Sequence, residues 1–249
     1  LGISNFPCLL LAQKGITNYE KAKDFFRPSL EMLHDPFLMK GMDAAVERIE
    51  KAISTKERIL IYGDYDVDGT TAVSLMFTFF KNHFKDISYY IPNRYDEGYG
   101  VSNKGVDYAA QNKYSLIICL DCGIKANDKI QYAKDKGIDF IVCDHHLPGP
   151  SLPPAMAVLD PKRSDCSYPY KELSGCGIGF KLAHAFAIKN NIPFKDIEHL
   201  LDLVVTSIAS DIVPITGENR VLAYYGIKQL ESSPRPGIKA LLQSVKNNA

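Results

Sequence analysis

Long apolar runs are missing from this sequence. None approaches the roughly 20 residues that a membrane-spanning helix requires, so no bilayer span is expected. An excess of either charge is missing too. The 29 basic and 29 acidic residues balance, which argues against a protein that coats nucleic acid through a global basic field. A local grip on one strand is not excluded. Cysteine is scarce: six, at positions 8, 119, 122, 143, 166 and 176, are too few for a disulfide framework in 249 residues. Cys119 and Cys143 sit inside apolar runs, where a reduced thiol behaves as a small hydrophobe, and a reducing cytoplasm is the expected location. The opening LGISNFPCLL has neither an initiator Met nor a basic segment. It does not read as a secretory signal and reads instead as an internal cut. Repeats and low-complexity tracts are absent. What remains, 46% hydrophobic and 23% charged, is the composition of a globular domain.

Residues 1–55 read as short helices. Asn18 can cap YEKAKDFF, Pro28 stops it, and DAAVERIEKAI follows with helical spacing. Three segments then repeat one pattern, an apolar run ending in an acid: ILIYGD (59–64), LIICLD (116–121) and DFIVCD (139–144). TTAVSLMFTFF after the first and KANDKIQYAKDKG after the second are helical in pattern, while ISYYIP (87–92) and AMAVLD are further strand candidates. Strands alternating with helices predict an α/β fold with a doubly wound, mainly parallel sheet flanked by helices. After Pro150 the chain loosens into the Pro-rich SLPPAMAVLDPKRSDCSYPY. GIGFKLAHAFAI, IEHLLDLVVTSIA and ENRVLAYYGIKQLE then read as three helices, and the basic tail after Pro234 has no stop signal, as expected of a truncated chain.

In a parallel sheet the strand C-termini share one edge, and ligands bind in the crevice there. Asp64, Asp66, Asp68, Asp121, Asp144, His145 and His146 all lie at or just past such ends, so they are expected to converge. So many acids at one edge repel each other unless cations neutralise them. Mixed carboxylate and imidazole ligands suit Mn²⁺, with Mg²⁺, Fe²⁺ or Zn²⁺ less favoured. Two such ions about 3.5–4 Å apart can clamp the attacking and leaving oxygens of a phosphoryl displacement.

Plainer readings compete at each motif. DYDVDG (64–69) could open an EF-hand loop, but the twelfth position is Leu75 rather than Glu, and a strand-like ILIY precedes it. Asp121 alone could cap the next helix, and Asp144-His145-His146 alone could be a polar turn. Cys119 and Cys122 form a CxxC without a second pair to complete a zinc site. GCGIGF (175–180) has its third Gly one position early for a dinucleotide fingerprint and reads as a close-packed helix start. In IPNRYDEGYG (91–100), Arg94 can hold a phosphate and Tyr95 and Tyr99 can stack bases, where the rival is an ordinary surface loop.

GDYDVDGTTA, LDCG, DHH and SIASDIVPITGENR, in this order, resemble the DHH phosphoesterase superfamily. IPNRYDEGYG, SGCGIGFKL and KGITNYEKAKDFFRPSLEMLHDPFLM resemble its RecJ branch. The resemblance runs over nearly the whole chain. It implies a two-metal exonuclease of DNA repair and recombination, using Mn²⁺ or Mg²⁺ to degrade single-stranded DNA from the 5′ end into nucleoside monophosphates. Carried onto this sequence, Asp66, Asp68, His145 and Asp211 become metal ligands and Asp121 a bridging ligand. Asp64 becomes a ligand or an orienting group, His146 faces the scissile phosphate, and Asp144 orients the His pair. Asp211 enters by resemblance alone. The implied layout is a helical segment (1–55) packed on a DHH catalytic domain (56–232). Residues 233–249 then begin a connector to a second, DHHA1-like domain that these residues do not include. A stretch of this kind is expected to bind metals yet show little processive activity. Expected partners are single-stranded DNA and no membrane, with replication or repair proteins as candidates and a monomeric state. The alternatives are a DHH phosphodiesterase for short oligonucleotides or cyclic dinucleotides, and an inactive scaffold that binds replication partners, which should have lost acids from the set. A pyrophosphatase is disfavoured by Tyr62, where that relative's motif carries His.

Overall fold

The computed structural model describes residues 5–247. Helices α1 (Asn5–Gln13) and α2 (Tyr19–Phe26) open the chain. The Asn18 side chain accepts from Lys21 N at 2.9 Å and starts α2 as its sequence implied. Two 3₁₀ turns lead to α3 (Met42–Ser54). The alternating core follows: β1 (Arg58–Gly63), α4 (Val67–Lys81), β2 (Ile87–Tyr90), α5 (Asn103–Gln111), β3 (Tyr114–Leu120), α6 (Asn127–Asp135), β4 (Asp139–Cys143) and β5 (Ala157–Leu159). Helices α7 (Gly175–Lys189), α8 (Lys195–Glu198), α9 (Leu201–Ser210), α10 (Gly217–Ser232) and α11 (Pro236–Asn247) complete it. Among the described residues no helix is long and apolar enough to cross a membrane.

All strand pairings are parallel, in the order β2-β1-β3-β4-β5. The order reverses between β1 and β3, so the crevice of this doubly wound sheet opens at their C-terminal ends. Past Arg58 in β1 and Ser115 in β3 the central strands are apolar, because both faces are covered. Ile59, Ile61, Leu116, Ile118 and Leu120 pack toward α3, α4, α7 and α9. Leu60, Tyr62, Ile117 and Cys119 pack toward α5 and α6. Each fully buried aliphatic side chain contributes roughly 1.5–3 kcal/mol.

Several boundaries differ from the sequence reading. α4 begins at Val67, three residues before TTAVSLMFTFF, because Asp66 caps it by accepting from Gly69 N at 2.9 Å. The single helix expected over IEHLLDLVVTSIA is broken between α8 and α9, where Leu203 N donates to Leu200 O and the His199 carbonyl accepts from Arg235 instead. α5, which the sequence reading did not name, is capped by Ser102 and buries Val106 and Ala109 on one face. Asp121 does not cap α6, which starts six residues later behind Ala126.

Candidate metal centre

Asp121 follows β3 with φ at +58°, a left-handed conformation that non-glycine residues rarely adopt. Its backbone N still donates to Cys143 O at 2.9 Å, and Asp144 N donates to Leu159 O at 3.0 Å. The sheet ladder therefore runs one residue past the strands and holds both acids at its edge. α4 brings Asp68, and Asp211 caps the C-terminus of α9. These elements converge on His145. Its Nε2 lies 3.2 Å from Asp121 Oδ1, 3.7 Å from Asp68 Oδ2 and 3.7 Å from Asp211 Oδ2. Two sets of donor atoms, Asp121–His145–His146 and Asp68–His145–Asp211, each fit within 4.8 Å and share His145.

The cluster is buried and crowded with negative charge. Neither oxygen of Asp121 accepts a hydrogen bond, and neither is exposed to water. Burial, and then the carboxylates of Asp68, Asp66 and Asp144, push the Asp121 carboxyl far above its ordinary range. Burial also raises Asp68 and Asp64. Unpartnered buried carboxylate oxygens facing an imidazole nitrogen are the donor set that a hard or borderline divalent cation takes, so the residues present fit the implied metals.

Asp68 is held from three directions. Gly175 N donates to Oδ2 at 2.8 Å, while Cys176 N and Ser207 Oγ each donate to Oδ1 at 2.7 Å. Ser174 caps α7, so the GCGIGF segment is a helix start whose first amides serve a carboxylate of the protein itself. Asp64 and Asp66 stand outside the two tight sets. Asp64 Oδ1 accepts from Gly100 N at 3.0 Å, leaving Oδ2 buried and unpartnered, and Asp66 Oδ1 is the α4 cap.

The second histidine is anchored differently. Asp144 accepts from His146 Nδ1 at 2.7 Å, from His145 N at 2.8 Å and from Ile124 N at 2.9 Å. That ion-paired hydrogen bond raises the His146 pKa. Burial is the largest single influence on Asp144 and works to raise it, but the hydrogen bond and charge of His146 together with the amides of Ile124 and His146 outweigh it and hold that carboxyl low. Tyr99 OH reaches His146 Nε2 at 3.3 Å. Arg94 is exposed, its guanidinium 5.3 Å from the Tyr65 ring centre, and Tyr95 stands 93% exposed. Cys119 and Cys122 are buried with sulfurs 3.3 Å apart, and Cys122 is driven well above the usual thiol range by its hydrogen bond with Cys119 and by burial.

One acid escaped the sequence reading. Asp160 ends β5 as Asp144 ends β4, is fully buried, and leaves Oδ2 without a partner. Burial lifts it to about 6, with Asp144 adding to the rise. AMAVLD had the same apolar-run-then-acid form as the other three segments, so the signal was present.

The family profile for the DHH family, N-terminal domain, matches residues 58–208. The chain belongs to the DHH family. Within this family it is 40% identical over 243 residues to the single-stranded-DNA-specific exonuclease RecJ of Bacillus subtilis, covering 98% of this chain and 30% of that protein. It is 36% identical over 222 residues to RecJ of Escherichia coli, covering 85% of this chain and 38% of that protein. The DHH chain therefore spans about a third of the length of these curated relatives. Among solved structures it is similar to exonuclease RecJ bound to manganese, at a TM-score of 0.78 and 29% identity, covering 87% of this chain and 54% of that one. It is also similar to Thermus thermophilus RecJ in complex with Mn²⁺, at a TM-score of 0.79 and 26% identity, covering 95% and 33%.

Proposed function

We propose that this chain carries a two-cation phosphodiesterase centre that shortens single-stranded DNA from its 5′ end, releasing nucleoside monophosphates. The observation that carries the reading is the convergence of Asp68, Asp121, His145 and Asp211 from four separate elements around unpartnered carboxylate oxygens. The likeness to RecJ proteins, two of them in structures with manganese, supports it.

Asp68, Asp121, His145 and Asp211 would hold the cations, with Mn²⁺ favoured over Mg²⁺ and with Asp64 and Asp66 as nearby ligands or orienting groups. Bound divalent ions supply Lewis acidity toward a phosphoryl oxygen and acidify water. Ser207 and the amides of Gly175 and Cys176 orient Asp68. His146, oriented by Asp144, faces the phosphate and donates to an oxygen on which charge develops. Arg94 would contact a flanking phosphate, and Tyr95 offers its exposed ring to a base. Residues 56–232 would carry this chemistry, braced by residues 1–55, with residues 233–249 leading on toward the rest of the groove. The six free thiols suit a reducing cytoplasm.

Incubation with Mn²⁺ and four substrates tests the reading: 5′-labelled single strands, duplex DNA, a dinucleotide and pyrophosphate. Release of labelled mononucleotide from single strands, abolished by EDTA, is expected. Preference for the dinucleotide would favour a short-oligonucleotide phosphodiesterase, and preference for pyrophosphate would overturn the assignment.

A further inference from the structure

The loop that carries Tyr99 is fixed on every side. Glu97 accepts from Tyr90 OH at 2.9 Å, Asn93 N at 2.8 Å and Ser102 Oγ at 2.5 Å. Gly98 and Gly100 flank Tyr99 at φ +76° and +82°, backbone conformations that only glycine adopts without strain. Gly100 N donates to Asp64, and Gly100 O accepts from Tyr62 OH at 3.0 Å. The Tyr99 ring meets Tyr65 edge-on at 6.0 Å and His146 edge-on at 6.1 Å. Its hydroxyl lies 3.3 Å from His146 Nε2 and 3.4 Å from the carbonyl oxygen of Asp121.

Asp144 also accepts from the His146 backbone amide at 3.1 Å, but it holds the ring at Nδ1 alone, and an imidazole tied at one nitrogen can still swing about that contact. A second contact at Nε2 removes this freedom. We infer that Tyr99 is a positioning residue for His146: its hydroxyl donates to the Asp121 carbonyl and accepts from Nε2–H. At 3.3 Å that contact aims the ring while leaving the same N–H to be shared with a phosphoryl oxygen when substrate enters. This rests on the phosphodiesterase reading of the same site. It assigns the Tyr99 hydroxyl a part in the reaction that base stacking does not require, because a stacking platform needs only the ring.

Tyr99→Phe separates the two roles, since it keeps the ring and removes the hydroxyl. With Mn²⁺ and 5′-labelled single strands, kcat is expected to fall about ten- to a hundredfold, with KM within about threefold and Mn²⁺ affinity unchanged. In a His146→Ala background the same substitution should cost nothing further, because its effect runs through His146. Wild-type kcat in Tyr99→Phe, or an equal loss in both backgrounds, would overturn the inference. If the wild-type chain cleaves no substrate, the proposed function fails and the positioning role is still read by ¹⁵N NMR of the Mg²⁺-loaded chain. Tyr99→Phe should then shift the His146 Nε2 resonance, and an unmoved resonance would overturn it.

Discussion

A Cβ on Gly175 would lie 2.6 Å from the Cβ of Asp121 and 2.7 Å from its Oδ1. The first residue of α7 thus touches the acid at the middle of the cluster, and only hydrogen fits between them. Gly175→Ala must push α7 or Asp121 aside, and the amide that Gly175 offers to Asp68 moves with it. The variant should lose about 1–3 kcal/mol of stability and bind Mn²⁺ at least tenfold more weakly. Urea unfolding and calorimetry read these two effects separately.

Asp121 itself should trade stability for function. Its buried carboxyl is destabilising without cations, because burial and neighbouring acids oppose its charge. Asp121→Asn should therefore stabilise the metal-free chain by about 1–3 kcal/mol. Thermal scans with EDTA should show the higher melting temperature, and scans with Mn²⁺ should show no further gain for the variant.

Lys181 and Glu218 form a fully buried ion pair at 2.8 Å, which Tyr168 OH and His34 N complete by donating to the same carboxylate. Lys181 also donates to His34 O and so ties the N-terminal segment to α7. Glu218→Gln leaves the ammonium without its counter-charge and should cost about 3–5 kcal/mol. Adding Lys181→Met should return part of that loss in urea unfolding, since no unpaired charge then stays buried.

Acid sensitivity should come partly from Glu57. Burial alone would raise its carboxyl, but hydrogen bonds from Ser115, Arg48 and Thr55 prevail and hold it at about 2 instead of 4.5. A carboxyl depressed in the folded state stabilises above its unfolded pKa, and that stability is lost as pH falls through the folded value. Stability should therefore decline from about pH 4.5 toward pH 2, by about 1–2 kcal/mol after allowance for solvent screening. Glu57→Gln should flatten that part of the profile.

Much of the centre was legible in the chain because each strand end announces itself: an apolar run, then an acid. Asp64, Asp121 and Asp144 fall where that pattern puts them, and parallel topology brings them to one edge. What joins distant segments was not legible. Gly175, Cys176 and Ser207 grip Asp68 from 107 to 139 residues away, and no local period encodes such a contact. Tyr99 read as a base platform because its type and loop suggest one, whereas the hydroxyl contact with His146 exists only once two loops meet. Asp160 shows the opposite case, a repeated pattern present in AMAVLD and passed over because Pro-rich sequence surrounds it.

The most direct test is an Mn²⁺ titration by isothermal calorimetry on the wild-type chain and on Asp121→Asn, followed by hydrolysis of a 5′-labelled single strand at each metal ratio. Two Mn²⁺ should bind the wild type, hydrolysis should rise with occupancy of the second, and Asp121→Asn should lose both. Equal binding by the two proteins, or hydrolysis that survives Asp121→Asn, would contradict a cation centre built on Asp68, Asp121, His145 and Asp211.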